Sequence, residues 1–448
     1  MFRTLLFLSL ISAACPIAAA PQLAAGWAKT DGGRGGAIVR VTNLNPDGPG
    51  SFKAAVERKG PRIIVFEVGG VIDMGLTSLS VREPHLTIAG QTAPSPGITL
   101  IRGGVDIATH DVVVQHIRIR TGVSGQAKRS GWEADSISTV GARNVIVDHC
   151  SLTWSLDENL SASGPRFTGK TVAEWRRGTS HNITFSYNIL AESLADASHP
   201  KGEHSKGSLI HDNATGILIY RNLYAHNYER NPLLKGGAHA AVVNNVIFNP
   251  GAQAIHYNLM DLEWGKTPHQ LGELSAVGNV LRAGLSTRED VAFLTIGGAG
   301  DLRYHGRDNI AVGRLGRPLP MLGRYTTGPA KIVEVEQPVI WPAGLDVLPA
   351  RDVETHVLRF AGARPWDRDA HDIRVTFDVA EGRGVIIDDE KQVGGYPVQT
   401  PTRAPFVEAE WNLDTMEPKS GRYPGQRDDF IQQPTTARDL RMRAGETR

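Results

Sequence analysis

One recurring pattern constrains the fold of this chain more than any other feature of the sequence. Short strand-like runs each end in a polar residue that is followed by apolar residues. The matching segments are VVVQHIRI, VIVDHCSL, ITFSYNIL, ILIYRNLY, AVVNNVIF and LSAVGNVL, with His116, His149, Asn188, Asn222, Asn245 and Asn279 at the polar position. Neighbouring polar positions are 23 to 39 residues apart. That spacing is typical of one coil of a solenoid, with or without an inserted loop.

The repeated asparagines indicate which kind of solenoid this is. Asparagine tolerates the left-handed backbone of a tight turn, and stacked side-chain amides can hydrogen-bond from one coil to the next. The alternative is a β-sandwich, but its strands are usually closer together and more evenly spaced. The sequence therefore predicts an all-β fold, a parallel β-helix. His149 is expected in register with the asparagines, which favours a structural role for it over a catalytic pair with Asp148.

The remaining segments divide the chain into four predicted parts. These are a signal peptide (1–20), the β-helix domain (21–315), a Pro/Gly-rich linker (316–350) and a C-terminal appendage with a disordered tail (351–448). Ser51–Lys59 has a serine N-cap and an apolar face, so we predict a short helix that covers one end of the β-helix. Arg351–Ala363 is predicted to be helical, and Arg368–Val379 a helix or a strand.

The N-terminus has the features of a secretory signal. Arg3 precedes an apolar run over Thr4–Ala14, and small residues place cleavage within Ala18–Ala25. The run is too short for a membrane anchor. We expect a secreted protein, periplasmic or extracellular. After cleavage only Cys150 would remain, so no intramolecular disulfide is expected.

The net charge excludes one broad class of partner. Lys and Arg total 48 against 47 Asp and Glu, which gives a formal charge of +1. No global field then favours nucleic acid or an anionic membrane, and we expect neither as a partner. Any charged ligand must be bound by a local cluster of side chains.

A local cluster of acids is predicted between Trp132 and Asn159. Glu133 and Asp135 are two residues apart, so on an extended strand both side chains leave the same face. If the chain coils so that Asp157 lies one layer away, three carboxylates converge. Hard oxygen ligands of this kind favour calcium over zinc or copper. The alternative is that these acids are simply solvated or salt-bridged, as acids at strand ends usually are.

Candidate cations follow further along the chain. Lys206 lies in a polar loop, and Arg230 and Lys235 flank Pro232, which holds its segment extended. Acids that hold calcium, facing Lys and Arg, would form a receptor for an anionic ligand such as a uronic acid polymer. The alternative is that these three side chains are ordinary surface cations.

Five stretches, in order, resemble the pectate lyases of polysaccharide lyase family one, in particular a branch of secreted bacterial members. They are GWAKTDGGRGG, VTNLNPDGPGSFKAAVE, LTIAGQTAPSPGITL, VIVDHCSLTWSLDENLS and ERNPLLKGG. The resemblance implies a right-handed parallel β-helix and calcium-dependent β-elimination of polygalacturonate, with that polymer as partner and a monomeric enzyme.

The resemblance also implies roles for single residues. The family's calcium-binding acids fall on Glu133, Asp135 and Asp157. Its substrate-binding lysine falls on Lys206, with Lys201 close enough to be an alternative. Its Arg-x-Pro-x-x-Arg motif falls on Arg230, Pro232 and Lys235, which makes Arg230 the catalytic residue and Lys235 a substrate-binding one.

This sequence departs from the family pattern at three positions. Glu133 replaces an aspartate, and Lys235 replaces an arginine and loses the bidentate fork that grips a carboxylate. Thr153 occupies the position of a fourth family acid, so one ligand is missing. Glu158 is not expected to replace it, because as the neighbour of Asp157 it should point to the opposite face of the strand. Two other functions therefore stay open: a β-helix glycoside hydrolase of a polyuronate that uses Asp135 and Asp157, and a non-catalytic β-helix that only binds polyuronate.

Overall fold

The computed structural model describes residues 26–427. The predicted signal peptide and its cleavage region lie outside the described residues, as do the last residues of the tail that is predicted to be disordered. No helix within residues 26–427 is long and apolar enough to cross a membrane.

Three long sheets wrap around one shared core, and their strands pair in parallel from coil to coil. The first sheet contains Ala37–Val41, Arg62–Phe66, Leu86–Ala89, His110–Gln115, Arg143–Asp148, His181–Ser186, Thr215–Tyr220, His239–Val243, Gly272–Val277, Leu302–Arg307 and Ile332–Glu334. The second contains Val68–Asp73, Ile98–Ile101, Arg118–Arg120, Ser151–Thr153, Ile189–Ala191, Leu223–Ala225, Val246–Phe248, Val280–Arg282 and Ile310–Val312, with Thr402–Arg403 antiparallel at its edge. The third contains Leu79–Val81, Val105–Ile107, Ile137–Val140, Glu158–Ser163, Lys206–Ile210, Leu233–Lys235, Ile255–Leu259, Leu294–Gly298 and Leu322–Arg324. This is the predicted parallel β-helix.

Apolar columns run along the inside of the β-helix because parallel pairing places equivalent residues of successive coils on top of one another. One column in the first sheet consists of Leu86, Val112, Val145, Ile183, Ile217, Ala240 and Leu274, all fully buried. Each residue fills the space between its neighbours in the coils above and below. The repeated apolar runs of the sequence are therefore the core itself.

The asparagine ladder is present at the turn between the first and second sheets. The amide nitrogens of Asn188, Asn222 and Asn245 each donate to the next ladder oxygen at 2.9 to 3.0 Å. Asn279 extends the ladder to Asn309, which the repeat pattern missed. These bonds satisfy buried amides along the solenoid axis.

The predicted register of His149 with this ladder is wrong by one residue. Cys150 occupies the ladder position, and its backbone N–H donates to Oδ1 of Asn188 at 2.8 Å. His149 instead stacks outside, against Tyr187 with ring centroids 4.7 Å apart. The left-handed backbone also belongs to this preceding position, with φ of 48° at His149 and 55° at Arg221, and not to the ladder asparagines as predicted.

Five helices lie around the β-helix in the described part of the chain. They are α1 (Phe52–Glu57), α2 (Val172–Gly178), α3 (Asp261–Trp264), α4 (Ala350–Phe360) and α5 (Ala370–Glu381), with 3-10 turns at Gly90–Thr92, Glu390–Val393 and Glu408–Glu410. The predicted N-cap of α1 is present, because Ser51 Oγ accepts from Ala54 N at 3.2 Å. Phe52 packs into the core against Phe66, with ring centroids 5.5 Å apart.

The C-terminal region is built onto the β-helix. Val353, Val357, Val375 and Val379 of α4 and α5 pack on the outer face of the second sheet. The predicted domain boundary at residue 315 differs from the structure, since the strands Leu322–Arg324 and Ile332–Glu334 extend the third and first sheets beyond it. A short hairpin of Trp411–Asn412 and Glu417–Pro418 follows.

Candidate active site

Three carboxylates converge where two neighbouring strands of the third sheet begin. Asp135 precedes Ile137–Val140, and Asp157 and Glu158 lie at the start of Glu158–Ser163. The two strands pair in parallel, so their starts meet. Oxygen atoms of Asp135, Asp157 and Glu158 all lie within 4.8 Å of one another.

The first of these acids is held by two donors. The backbone N–H of Glu158 donates to Asp135 Oδ1 at 3.0 Å, and Ser161 Oγ donates to Oδ2 at 2.6 Å. Burial raises the pKa of the Asp135 carboxyl, and the nearby charge of Asp157 raises it further. A cation among these oxygens would relieve that repulsion. Three carboxylates form the hard-oxygen donor set that calcium takes, so the residues present fit this ion.

The second acid faces a histidine and an arginine. His204 Nε2 lies 2.7 Å from Asp157 Oδ1, and Arg230 Nη1 lies 3.9 Å from the same oxygen. Burial opposes ionisation of Asp157, but the hydrogen bond and charge of His204 outweigh it and lower the pKa of its carboxyl. Asp157 is therefore more easily ionised than Asp135.

The expectation that Glu158 points away from the cluster is wrong. Its side chain is buried and forms an ion pair with Arg230. Strict alternation of side chains applies inside a strand, whereas residue 158 is the first of its strand and its N–H is drawn toward Asp135. Thr153 lies elsewhere, in the second sheet, where its hydroxyl accepts from Arg120 Nη1 at 3.0 Å.

Glu133 lies at the margin of the cluster. Its carboxylate is about half exposed, and Oε2 is 2.9 Å from His199 Nε2. Asp157 lies within 4.8 Å of two sets of possible ligand atoms, those of Asp135 and Glu158 and those of His199 and His204, and Glu133 is in neither set. The structure therefore brings Asp135 and Asp157 together with Glu158, and leaves Glu133 on the histidine side of Asp157.

The three predicted cations line the same sheet, and each is paired with an acid. Lys206 pairs with Glu229, Arg230 with Glu158, and Lys235 with Glu263. Lys206 lies directly beside Glu158 in the strand register, whereas Lys201 is exposed in the preceding loop. Of these two lysines, Lys206 is the one that lies beside the acid cluster.

The guanidinium of Arg230 is the cation closest to the acids. Its residue has a left-handed backbone, with φ of 61°, at the turn before Leu233–Lys235. Burial in the protein lowers the pKa of this guanidinium, while Asp157 and Asp135 act in the opposite direction. A positive group held beside three carboxylates can stabilise negative charge that develops on a bound molecule.

Comparison with known proteins identifies the family. Residues 3–262, more than half of the chain, match the family model described as pectate lyase. The chain belongs to the pectate lyase family. A probable pectate lyase C from Aspergillus oryzae is 32% identical over 396 residues, which cover 87% of this chain and 84% of the relative.

A further relative of this pectate lyase family member matches in sequence, and two solved structures share its fold. The probable pectate lyase C of Emericella nidulans is 37% identical over 221 residues, 49% of this chain and 45% of the relative. Among solved structures, the cedar pollen allergen jun a 1 aligns with a TM-score of 0.52 at 17% identity, covering 76% of this chain and 92% of the allergen. A pectate lyase bound to hexasaccharide aligns with a TM-score of 0.51 at 14% identity, covering 78% and 99%. The two sequence relatives named here are fungal, so placement in a bacterial branch stays a prediction.

Sequence reasoning missed several partners in the site of this pectate lyase family member. Glu229 and Glu263 hold the two lysines, and His199 and His204 contact Glu133 and Asp157. The segment EHSK contained a usable signal, because His204 lies two residues before Lys206, in the loop that leads into that strand. Pairings between loops of different coils carry no local sequence signal.

Proposed function

We propose that the protein cleaves polygalacturonate by calcium-dependent β-elimination along the outer face of the third sheet. One observation carries this proposal: oxygen atoms of Asp135, Asp157 and Glu158 converge within 4.8 Å beside the partly buried cation Arg230. Family membership supports the reaction class. In this reaction a base takes the C5 proton, and the electron pair of the C5–H bond forms the C4–C5 double bond. The C4–O bond breaks with its electron pair on the departing glycosidic oxygen, which then takes up a proton.

We assign the calcium site to Asp135 and Asp157, with Glu158 as the third acid and Glu133 at its margin. Calcium bound there would withdraw charge from a uronate carboxylate and so make the adjacent C5 proton more acidic. The carboxylates themselves orient the site, because Asp135 is fixed by Ser161 and by a backbone N–H.

Lys206 and Lys235 would bind uronate carboxylates on either side of Arg230. Both ammonium groups are largely buried, at 8% and 9% side-chain exposure, so a displaced acid partner must be replaced by another anion. A polyuronate supplies such anions at regular intervals. Arg230 is the proposed catalytic residue, whose charge lies where negative charge develops as the C5 proton leaves.

A glycoside hydrolase is the second candidate, and one observation favours it. The pKa of Asp135 is raised and the pKa of Asp157 is lowered, which is the division of roles that an acid and a base need. A hydrolase would give saturated products without a calcium requirement. The two candidates therefore differ in product and in metal dependence.

The test is ultraviolet absorbance of the unsaturated product formed from polygalacturonate, with calcium and then with excess chelator. Absorbance that requires calcium supports elimination. Reducing ends released without absorbance, in the presence of chelator, would establish the hydrolase instead. Binding of the polymer without either product would leave only a binding protein.

We further propose that the enzyme acts as an exported monomer. The apolar N-terminal run after Arg3 supports export. Cell fractionation of the full-length chain tests this, and retention in the cytoplasm would contradict it. Light scattering of the purified protein tests the oligomeric state.

A further inference from the structure

Two histidines that no part of the proposed mechanism uses lie beside the acid cluster. His199 and His204 come from the loop between Ile189–Ala191 and Lys206–Ile210. Their rings stack face to face, with centroids 3.6 Å apart and an interplanar angle of 8°. Their exposures are 1% and 6%, so both rings are removed from solvent at the edge of the site.

His204 holds one oxygen of Asp157 in a fixed place. Its Nε2 lies 2.7 Å from Oδ1, while the carboxylate itself remains 30% exposed. Backbone bonds fix the histidine in turn: His204 N donates to Ala195 O at 2.9 Å, and Ser205 N donates to Leu194 O at 3.0 Å. The partly exposed carboxylate of Asp157 is thus anchored to a buried histidine whose backbone is held by hydrogen bonds.

His199 fixes the ring of His204 from the other side. Its Nδ1 accepts the backbone N–H of Lys201 at 3.2 Å, so in the neutral ring the proton is on Nε2. That Nε2 lies 2.9 Å from Glu133 Oε2 and 3.8 Å from Asp157 Oδ2. Nε2 therefore lies close to both acids at the margin of the cluster, without a hydrogen bond to either of them.

We propose that His204 is a positioning residue, which presents Asp157 to the bound cation, and that His199 holds His204 in place by stacking. This inference rests on the proposed calcium site. Without His204, Asp157 could rotate, and its nearest remaining cation would be Arg230 at 3.9 Å. A carboxylate drawn toward Arg230 would be a poorer ligand for the cation.

A transition-metal site is the competing explanation of the same side chains. Asp157, His199 and His204 place three ligand atoms within 4.8 Å of one another. A histidine that binds a metal through Nε2 usually donates its other N–H to an acceptor. Nδ1 of His199 accepts a hydrogen bond instead, so the geometry favours the positioning role.

The experiment measures calcium affinity by titration calorimetry on the full chain, without substrate. His204→Phe keeps a stacking ring but cannot donate, and His204→Gln keeps a donor at similar reach. We expect His204→Phe to weaken calcium binding about 10- to 100-fold, with His204→Gln recovering most of it. His269→Phe is the matched control, because His269 lies 2.9 Å from Asp261 outside the cluster. Unchanged thermal unfolding would show that each variant is folded.

The possible outcomes separate this inference from the proposed function. If the wild-type protein binds no calcium, the calcium proposal fails first, and the positioning role fails with it. If wild type and His204→Phe bind calcium equally, only the positioning role is overturned. Zinc alone, added as a probe, should bind weakly. Tight zinc binding that is lost in His204→Phe would overturn the positioning role in favour of a metal ligand.

Discussion

The asparagine ladder should be one of the main sources of stability, and Asn222 tests it. Its side chain accepts from the backbone N–H and the amide of Asn188, both at 2.9 Å. It donates to Phe185 O at 2.9 Å and to Asn245 Oδ1 at 3.0 Å. Asn222→Ala removes all four bonds from a fully buried position. At about 1 kcal/mol for each bond, we expect a loss of about 4 kcal/mol.

The assay is equilibrium unfolding in urea at neutral pH. A loss of about 4 kcal/mol is a large part of the roughly 5–15 kcal/mol that holds a typical domain together, so the midpoint should fall markedly. Asn45→Ala serves as the control, since Asn45 is exposed in the loop after the first strand. That substitution should change stability by less than about 0.5 kcal/mol.

One result would refute the reasoning about the ladder. Suppose that Asn222→Ala lowers the free energy of unfolding by less than about 1 kcal/mol, while the slope of that free energy with urea concentration is unchanged. The amides would then not be a stabilising network. The coils would then be held by their paired strands and apolar columns, without a contribution from the amides. A changed urea dependence would instead indicate that one part of the solenoid unfolds separately.

Three further predictions concern the site and its surroundings. Arg230→Lys should abolish turnover while thermal unfolding is unchanged. The control is Arg351→Lys, which should leave turnover intact because the Arg351 side chain is 80% exposed. A fully active Arg230→Lys variant would remove Arg230 from the mechanism. Asp135→Asn should raise the melting temperature in calcium-free buffer, because it removes a carboxylate whose pKa is raised by burial and by Asp157. The same substitution should weaken calcium binding in calorimetry. A lower melting temperature in calcium-free buffer would contradict the first expectation. Burial and then the charge of His149 lower the pKa of His116 to about 3. As the pH falls below about 6.5, the imidazole of His116 is therefore protonated in the unfolded chain but stays neutral in the folded protein. Between pH 6.5 and 5, this difference should lower the free energy of unfolding by about 2 kcal/mol. Urea unfolding of His116→Gln at both pH values should show a correspondingly smaller loss, and an equal loss would count against the assignment.

The fold could be predicted from sequence because its main determinants are local and repeated. Apolar runs ending in Asn188, Asn222, Asn245 and Asn279 are visible as letters, and each is one coil. Asn309 was missed because its preceding strand, Leu302–Arg307, is exposed at its end and lacks the apolar pattern. The register error at His149 arose because the ladder position there is Cys150, which makes the backbone bond of the ladder but has no side-chain amide.

The site was predictable only in part, for a different physical reason. Asp135 and Asp157 lie beside strands of adjacent coils, so their convergence follows from the solenoid. The direction of Glu158 depends on the backbone at the first residue of a strand, where alternation gives no guidance. The contacts of His199 and His204 depend on how the loop before Lys206 folds back, and no spacing rule describes that.

The pairing of acids and cations in the site has a consequence for binding. Glu158 is both a member of the carboxylate cluster and the partner of Arg230. A cation bound by the cluster weakens the hold of Glu158 on Arg230, and a uronate carboxylate bound by Arg230 leaves Glu158 free for the cation. Binding of the cation thus frees Arg230 for the uronate, and binding of the uronate frees Glu158 for the cation. The affinity for calcium and the affinity for polyuronate must therefore be raised by the same factor, whichever binds first. Calcium and polyuronate should therefore bind more tightly together than either does alone, and Glu158→Gln should reduce that coupling.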